Sequence, residues 1–211
     1  MSEIWVEFSK VAVAHLLAVA SPGPDFAIVL RQSLTFGRRT ALWTSVGVGT
    51  AILLHVTYSV LGLGLLIRSS ESCFRFVKYA GAAYVAWLGI QALRAKPRGP
   101  TERGDDIAAT LPSSHGAFMT GFLTNALNPK VSLFFLSLFV MVVSPSTPKI
   151  IQAGYGVWMA LATIAWFSMV SIAFTREGVR RRFLRYGHWI DRALGVVFLA
   201  FAASLALTSV K

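Results

Sequence analysis

Apolar residues occur in this chain as about six long segments, separated mostly by short polar gaps. The hydrocarbon core of a bilayer is about 30 Å thick and is crossed by about 20 helical residues, so segments of this length are typical of transmembrane helices. The segments cover residues 4–36, 41–67, 74–93, 116–143, 150–174 and 189–208. We therefore predict an all-α integral membrane protein with about six transmembrane helices.

The first and fourth segments are longer than one crossing requires, and proline interrupts each of them. The first has about 33 residues and would form a straight helix of about 50 Å. An N-cap residue followed by proline is the usual signal for the start of a helix. We therefore predict that Ser21 and Asn128 each cap a half-helix that begins inside the membrane. The interrupting sequences are Ser21-Pro22-Gly23-Pro24-Asp25 and Asn128-Pro129-Lys130.

The segments divide into two halves of three, residues 1–94 and residues 116–211, within one transmembrane domain. Residues 95–115 contain several Pro and Gly residues and are predicted to form the connecting loop. Adding 107 to the residue number carries Ser21-Pro22 onto Asn128-Pro129, which indicates a weak internal repeat. A repeat of three spans is inserted upside down relative to its copy. We therefore predict two inverted three-helix repeats, an architecture found in many secondary transporters.

Composition supports the membrane class and excludes several others. Hydrophobic residues make up 55% of the 211 residues and charged residues 14%, with a mean hydropathy of +0.62, far from the composition of a soluble domain. The six apolar segments and their short connections leave no room for a soluble domain. The net charge of +11 does not indicate a nucleic-acid partner, because the basic residues lie in the gaps between apolar segments. The single cysteine, Cys73, excludes an intrachain disulfide and a multi-cysteine metal site.

The distribution of basic residues predicts the orientation in the membrane. The gaps on one side of the predicted bundle contain thirteen Lys and Arg residues, and those on the other side contain six. The positive-inside rule places the richer side in the cytoplasm. The loop at 95–115 is then cytoplasmic, and both termini are extracytoplasmic.

Asp25 and Lys130 follow the two breaks and are the ionisable residues deepest in their segments. Such a residue costs about 2.5–3.5 kcal/mol at the membrane centre on insertion scales, so each needs a partner or water. Either they form a structural ion pair, or Lys130 binds an anionic group of a solute while Asp25 holds an ammonium group or a coupling proton. A half-helix that starts at each break also directs the positive end of its dipole toward an anion. The candidate substrate-binding residues are Ser21, Pro22, Gly23, Pro24, Asp25, Asn125, Asn128, Pro129 and Lys130.

Three further polar residues in the apolar segments each allow two interpretations. Asn125 lies three residues before Asn128, so on a continuous helix the two amides would share a face toward a solute; alternatively, Asn125 bonds to another helix. His15 and His55 join Asp25 as candidates for proton coupling, or they are hydrogen-bonded packing residues.

Several motifs together are similar to those of one known family. They resemble the lysine exporter family, especially its homoserine/threonine efflux branch, over nearly the whole chain and in the same order. The resemblance implies a proton-driven exporter of amino acids or close derivatives in the bacterial inner membrane. This chain departs from the family at Ala41 and Ala51, where glycine is common, and no residue identifies the substrate. The motifs are Pro22-Gly23-Pro24-Asp25, Gly37-Arg38-Arg39, Gly47, Gly81-Ala82-Ala83-Tyr84, Leu88-Gly89 and Gly121-Phe122-x-x-Asn125-x-x-Asn128-Pro129-Lys130.

The sequence contains no glycine-rich phosphate loop, His-Glu metal motif or nucleophile elbow, so it does not indicate an enzyme, a metal site or a cofactor. The expected partners are an amino-acid substrate, membrane lipids and a coupling proton, and a homodimer is left open. Broken helices in inverted repeats also suit lipid headgroups. A membrane-embedded lipid-handling protein or scramblase is therefore the alternative.

Overall fold

All secondary structure in the described part of the chain is helical. A computed structural model describes residues 2–21, 23–69, 71–95, 111–174 and 176–207, and these ranges contain eight helices. The all-α prediction is therefore confirmed for this part of the chain. In chain order the helices are α1 (Ser2–Ala20), α2 (Pro24–Thr35), α3 (Arg38–Ser69), α4 (Glu71–Leu93), α5 (Ser114–Ala126), α6 (Pro129–Met141), α7 (Lys149–Ala173) and α8 (Glu177–Leu207).

Two described helices are long and apolar enough to cross a bilayer on their own, namely α3 within Arg38–Gly62 and α7 over Lys149–Ala173. Helix pairs α1–α2 and α5–α6 reach the same criterion when each is counted as one broken span, bent by 53° and 57°. The breaks predicted within the first and fourth apolar segments are therefore present. The described residues provide two to four spans, whereas six spans and the inversion of the two halves stay predictions.

Helix α8 begins at Glu177, well before the apolar segment predicted at residues 189–208. Residues such as Arg182 and Arg185 lower the hydropathy of this stretch, but arginine is a good helix former. Hydropathy therefore located the apolar part of α8 and missed its basic N-terminal part. Of the predicted loop at 95–115, residues 96–110 lie outside the described residues, and Ser113 caps α5 by accepting a hydrogen bond from the Gly116 N–H.

Helix α3 packs against α2, α5, α6 and α7. Its contact with α5 is close because of two glycines: a Cβ atom on Gly121 would overlap the Thr44 carbonyl oxygen, and one on Gly47 would overlap the Phe118 carbonyl oxygen. The Thr44 hydroxyl also donates to the Ala117 carbonyl oxygen over 3.1 Å. Small residues at such contacts let membrane helices approach closely. Helix α5, which leads into the second break, is thus held on α3.

Half-helix α6 supplies the aromatic centre of the bundle. Its Phe135, Leu138 and Phe139 are almost completely buried, in a cluster with side chains of α1, α3 and α7. Lipid tails are as apolar as these side chains, so what stabilises the cluster in a membrane is close packing rather than removal from water. Helix α8 packs on α4 through Gly89 and Gly195, and its Phe198 is buried against residues of α1.

Candidate functional site

The two breaks are in direct contact. The Asn125 side-chain amide donates to Asp25 Oδ2 over 3.0 Å, and the Asn128 amide donates to the same oxygen over 3.4 Å. The Lys130 ammonium donates to Ser21 Oγ over 3.2 Å and to the Ser21 carbonyl oxygen over 3.5 Å. These contacts join residues about 100 positions apart in the sequence.

The second break forms as its sequence predicts. Asn128 is the N-cap of α6, with Pro129 as the first helical residue, and its side-chain oxygen accepts the Lys130 N–H over 3.0 Å. Its carbonyl oxygen accepts the N–H groups of Val131 and Ser132, both over 3.1 Å. The first three N–H groups of α6 are therefore used within the break itself.

The first break forms differently, and the prediction that Ser21 caps its half-helix was wrong. Helix α2 begins at Pro24, and its N-cap is Gly23, which has an extended backbone and makes no side-chain capping bond. Ser21 instead follows the last turn of α1, and its N–H donates to the Leu17 carbonyl oxygen. A residue before proline is disfavoured in helical conformation, so Gly23 cannot be part of α2 and the helix starts at Pro24. Pro22 lies outside the described residues.

One carboxylate oxygen at this junction has no donor among the described residues. Asp25 directs Oδ2 at the two amides, whereas its Oδ1 is buried and has no hydrogen-bond partner in this part of the chain. Asn125 donates through Nδ2, and its side chain also contacts the His55 imidazole of α3. Buried acceptors are normally bonded, and leaving one unsatisfied costs about 1–3 kcal/mol. Asp25 Oδ1 is therefore suited to a ligand that brings N–H or O–H donors.

The Lys130 ammonium lies over the uncapped start of α2. A Cβ atom on Gly23 would be 3.3 Å from Lys130 Nζ, so glycine leaves this side chain room. The ammonium and the positive dipole end of α2 are brought to the same place, which favours an anionic group. Asp25, in the first turn of α2, is itself favourably placed in this field.

A cavity of about 50 Å³ lies between the breaks, enough for a few water molecules. Six of the predicted substrate-binding residues line it, while Pro24 and Pro129 are the first residues of α2 and α6. Its other walls are mainly aromatic and aliphatic, including Ile52, Phe134, Phe135, Phe167 and Phe198. The six lining residues are Ser21, Gly23, Asp25, Asn125, Asn128 and Lys130.

His15 and His55 are both buried and both bonded to another helix. His15 lines the cavity, and its Nε2 lies 3.1 Å from the Met159 carbonyl oxygen and 3.0 Å from Thr163 Oγ1. His55 Nε2 lies 3.1 Å from the Asn125 carbonyl oxygen, so it ties the end of α5 to α3. In each histidine, Nε2 therefore makes the contact with another helix that the packing interpretation predicts. The role of the two histidines in proton coupling stays a prediction.

Sequence reasoning missed residues that complete this site. Tyr58 lies 2.6 Å from His55 Nδ1, and its hydroxyl is also hydrogen-bonded to Ser132 in the first turn of α6. The spacing of three residues between His55 and Tyr58 places both on one face of α3 and could have indicated the pair. Thr163, which contacts His15, has no such signal, because a single threonine in an apolar segment is common in membrane helices.

Comparisons with known proteins identify the family. The "Threonine efflux protein" of Salmonella typhimurium is 29% identical over 201 residues, covering 95% of this chain and 98% of that protein, and the protein of the same name from Escherichia coli K12 has the same values. An "Uncharacterized membrane protein" of Haemophilus influenzae is 28% identical over 202 residues, covering 94% of this chain and 95% of that protein. No solved structure matches the chain. The LysE type translocator family matches residues 16–209, which include both breaks, and the chain therefore belongs to this family.

Proposed function

We propose that this protein exports amino acids of the threonine and homoserine type from the bacterial cytoplasm and binds them between its two breaks. Two relatives that match nearly the whole chain are named threonine efflux proteins, which supports an amino acid as the substrate. The observation that carries the site is Asp25 Oδ1, a buried carboxylate oxygen without a donor among the described residues.

The substrate ammonium binds at Asp25 Oδ1. An ammonium group has three N–H donors and no acceptor, so it can satisfy this oxygen. The acceptor is a carboxylate oxygen, and hydrogen bonds between charged groups are about twice as strong as neutral ones. The amides of Asn125 and Asn128 hold Asp25 Oδ2, which leaves Oδ1 for the substrate.

The substrate carboxylate binds where the Lys130 ammonium meets the start of α2. Lys130 supplies a positive charge beside Gly23 and Ser21, and α2 adds the positive end of its dipole without a capping side chain in the way. The two ends of a zwitterion are then recognised by opposite partners. A neutral solute of similar size lacks both interactions.

Transport couples to the proton through Asp25. A carboxylate that holds either a proton or the substrate ammonium cannot hold both, so protons that enter from outside displace the substrate and are carried inward. His15 and His55 are weaker candidates, because each has one ring nitrogen at a backbone carbonyl oxygen of another helix. Export requires the cavity between the breaks to open to one side of the membrane and then to the other. Alternating access between two inverted halves provides that movement.

The membrane orientation completes the proposal. Thirteen basic residues lie on the cytoplasmic side and six on the other side, so both termini are extracytoplasmic. The substrate binds from the cytoplasmic side, which carries the basic loops.

Substitution of Asp25 tests this function. The Asp25→Asn variant keeps the shape of the side chain and removes its charge. We expect the initial rate of pH-gradient-driven threonine flux in proteoliposomes to fall about 10- to 100-fold, the loss of one hydrogen bond to a charged group. The matched control is Glu7→Gln, which neutralises a carboxylate of α1 that bonds to Ser144 and Thr147, away from the cavity.

Two outcomes would contradict the proposal. Normal flux through a correctly inserted Asp25→Asn variant would remove Asp25 from the mechanism. Lipid scrambling in the same vesicles, without a threonine flux that depends on the pH gradient, would instead favour the lipid-handling alternative.

A further inference from the structure

His15 presents an unused hydrogen-bond acceptor in the wall of the cavity. Its side chain is 1% exposed, and its Nε2 contacts the Met159 carbonyl oxygen and Thr163 Oγ1 on α7. A carbonyl oxygen can only accept, so in the neutral ring the hydrogen is on Nε2. Nδ1 then carries a lone pair, and it is buried without a partner in the described chain.

The ring is fixed in an otherwise apolar environment. The edge-on neighbours of His15 are Phe135, with ring centroids 5.9 Å apart, and Trp158, with ring centroids 6.2 Å apart. Neither ring supplies a donor to Nδ1 in these contacts. The two bonds to α7 prevent the imidazole from turning without losing both of them, so the acceptor is preorganised.

The cavity therefore has acceptors at two places in its wall. One place is the carboxylate of Asp25, and the other is His15; both residues line the cavity. The remaining walls include apolar side chains such as Ile52, Phe134 and Phe167. The complementary ligand has an ammonium group for Asp25 and a hydroxyl group for His15.

We propose that His15 is a specificity-determining residue whose Nδ1 accepts a hydrogen bond from the side-chain hydroxyl of the substrate. The inference rests on the proposed function, because it assumes that the substrate ammonium is bound at Asp25. Met159 and Thr163 are positioning residues, which hold the imidazole with Nδ1 toward the ligand. An apolar side chain of the same shape leaves Nδ1 without a donor and is rejected.

Threonine and valine test the inference, because they differ mainly by a hydroxyl in place of a methyl group. The measurement is the inhibition constant of each amino acid against labelled threonine flux in proteoliposomes. For the unmodified protein we expect threonine to bind about tenfold more tightly than valine, the value of one buried hydrogen bond. The amide of Asn occupies the place of Nδ1, whereas that of Gln occupies the place of Nε2. We therefore expect His15→Asn to keep the preference and His15→Gln to lose it.

The two variants separate recognition from a purely structural role. If His15 only ties α1 to α7 through Nε2, then His15→Gln keeps the protein intact and selective while His15→Asn fails, which is the opposite pattern and overturns the inference. The matched control is His188→Gln, since His188 of α8 is also buried and its Nδ1 has no partner among the described residues, but it is not a cavity-lining residue. The control should keep the full preference for threonine.

The remaining outcomes distinguish this inference from the proposed function. An unmodified protein that transports threonine but binds valine equally well overturns the role of His15 and leaves the amino-acid exporter in place. If His15→Asn and His15→Gln have the same preference for threonine over valine, the role of His15 is again overturned and the amino-acid exporter is left in place. If no amino acid is transported and Asp25→Asn changes nothing, the proposed function itself has failed.

Discussion

The two breaks have similar sequences and line one cavity, but they differ in whether a side chain caps the helix that follows. The second break uses the Asn128 side chain and carbonyl oxygen to satisfy the first N–H groups of α6, and α5 is held against α3 by Gly121 and His55. The first break has glycine as its N-cap and no side-chain cap. The second break bonds the first N–H groups of its own helix and can act as a rigid support. The first break has no capping side chain, so the positive end of the α2 dipole is available to a ligand. We expect loss of the cap of the second break to lower stability, and a cap added to the first break to weaken substrate binding.

The largest effect should come from separating the second break from its support. In Gly121→Val, the added side chain would overlap the Thr44 carbonyl oxygen, and backbone atoms cannot move aside without separating α5 from α3. We expect loss of the monodisperse peak in size-exclusion chromatography of the detergent-purified protein. Gly154→Val is the control, because a Cβ atom there meets no atom within 4 Å. A normal peak for Gly121→Val would show that the contact is not tight.

Removal of the Lys130 ammonium should have the next largest effect. This effect should be on substrate binding rather than on folding. Lys130→Met keeps the length of the side chain but deletes the ammonium that contacts Ser21. We expect the KM for threonine to rise about 10- to 100-fold, because a charged hydrogen bond to the carboxylate is lost. Lys149→Met, at the start of α7, is the control. An unchanged KM would argue that Lys130 is only a structural tie between the breaks.

Loss of the natural cap should lower stability by a smaller amount. In Asn128→Ala, α6 loses its side-chain cap, which costs about 1 kcal/mol and corresponds to a decrease of about 2–4 °C in Tm for a protein of this size. Asn128→Ser restores a capping oxygen but not the amide that donates to Asp25. We therefore expect Asn128→Ser to recover the Tm and not the transport rate. Recovery of both would show that the Asn128–Asp25 contact is dispensable.

The smallest change in stability should come from giving the first break a cap that it lacks. Gly23→Ser supplies a capping hydroxyl to α2, which is worth a few tenths of a kcal/mol. The same side chain would come close to Lys130 Nζ and would occupy the start of α2. We expect a slightly higher Tm together with a higher KM for threonine, the usual exchange between stability and activity at a functional site. A Tm that rises with no change in KM would contradict the role of the uncapped helix start.

Local rules predicted one break well and the other only in part. Asn128-Pro129 contains one N-cap residue and one proline, so the start of α6 could be read directly from the sequence. Ser21-Pro22-Gly23-Pro24 offers two such starts, and the conformational restriction on the residue before Pro24 moves the helix start to the second proline. Choosing between them requires the restriction on Gly23 to be weighed against the capping preference of Ser21.

The junction itself required tertiary information. The sequence indicated that Asp25 and Lys130 need polar partners, but it did not show that Asn125 and Asn128 serve Asp25 while Ser21 serves Lys130. These pairings depend on how α2 and α6 meet, which no local pattern encodes. The basic start of α8 was not part of the predicted apolar segment, because arginine lowers hydropathy although it is a good helix former.

The position of Phe135 beside two histidines makes movement of α6 detectable by NMR. Its ring is stacked on His55, with centroids 5.6 Å apart and an angle of 19° between the planes, and it meets the edge of His15 at 5.9 Å. The magnetic ring current of one phenylalanine therefore acts on both imidazoles from different directions. A shift of α6 along its axis would change the NMR frequencies of the two histidines unequally. The NMR frequencies of His15 and His55 would thus report movement of α6 during transport without an attached label.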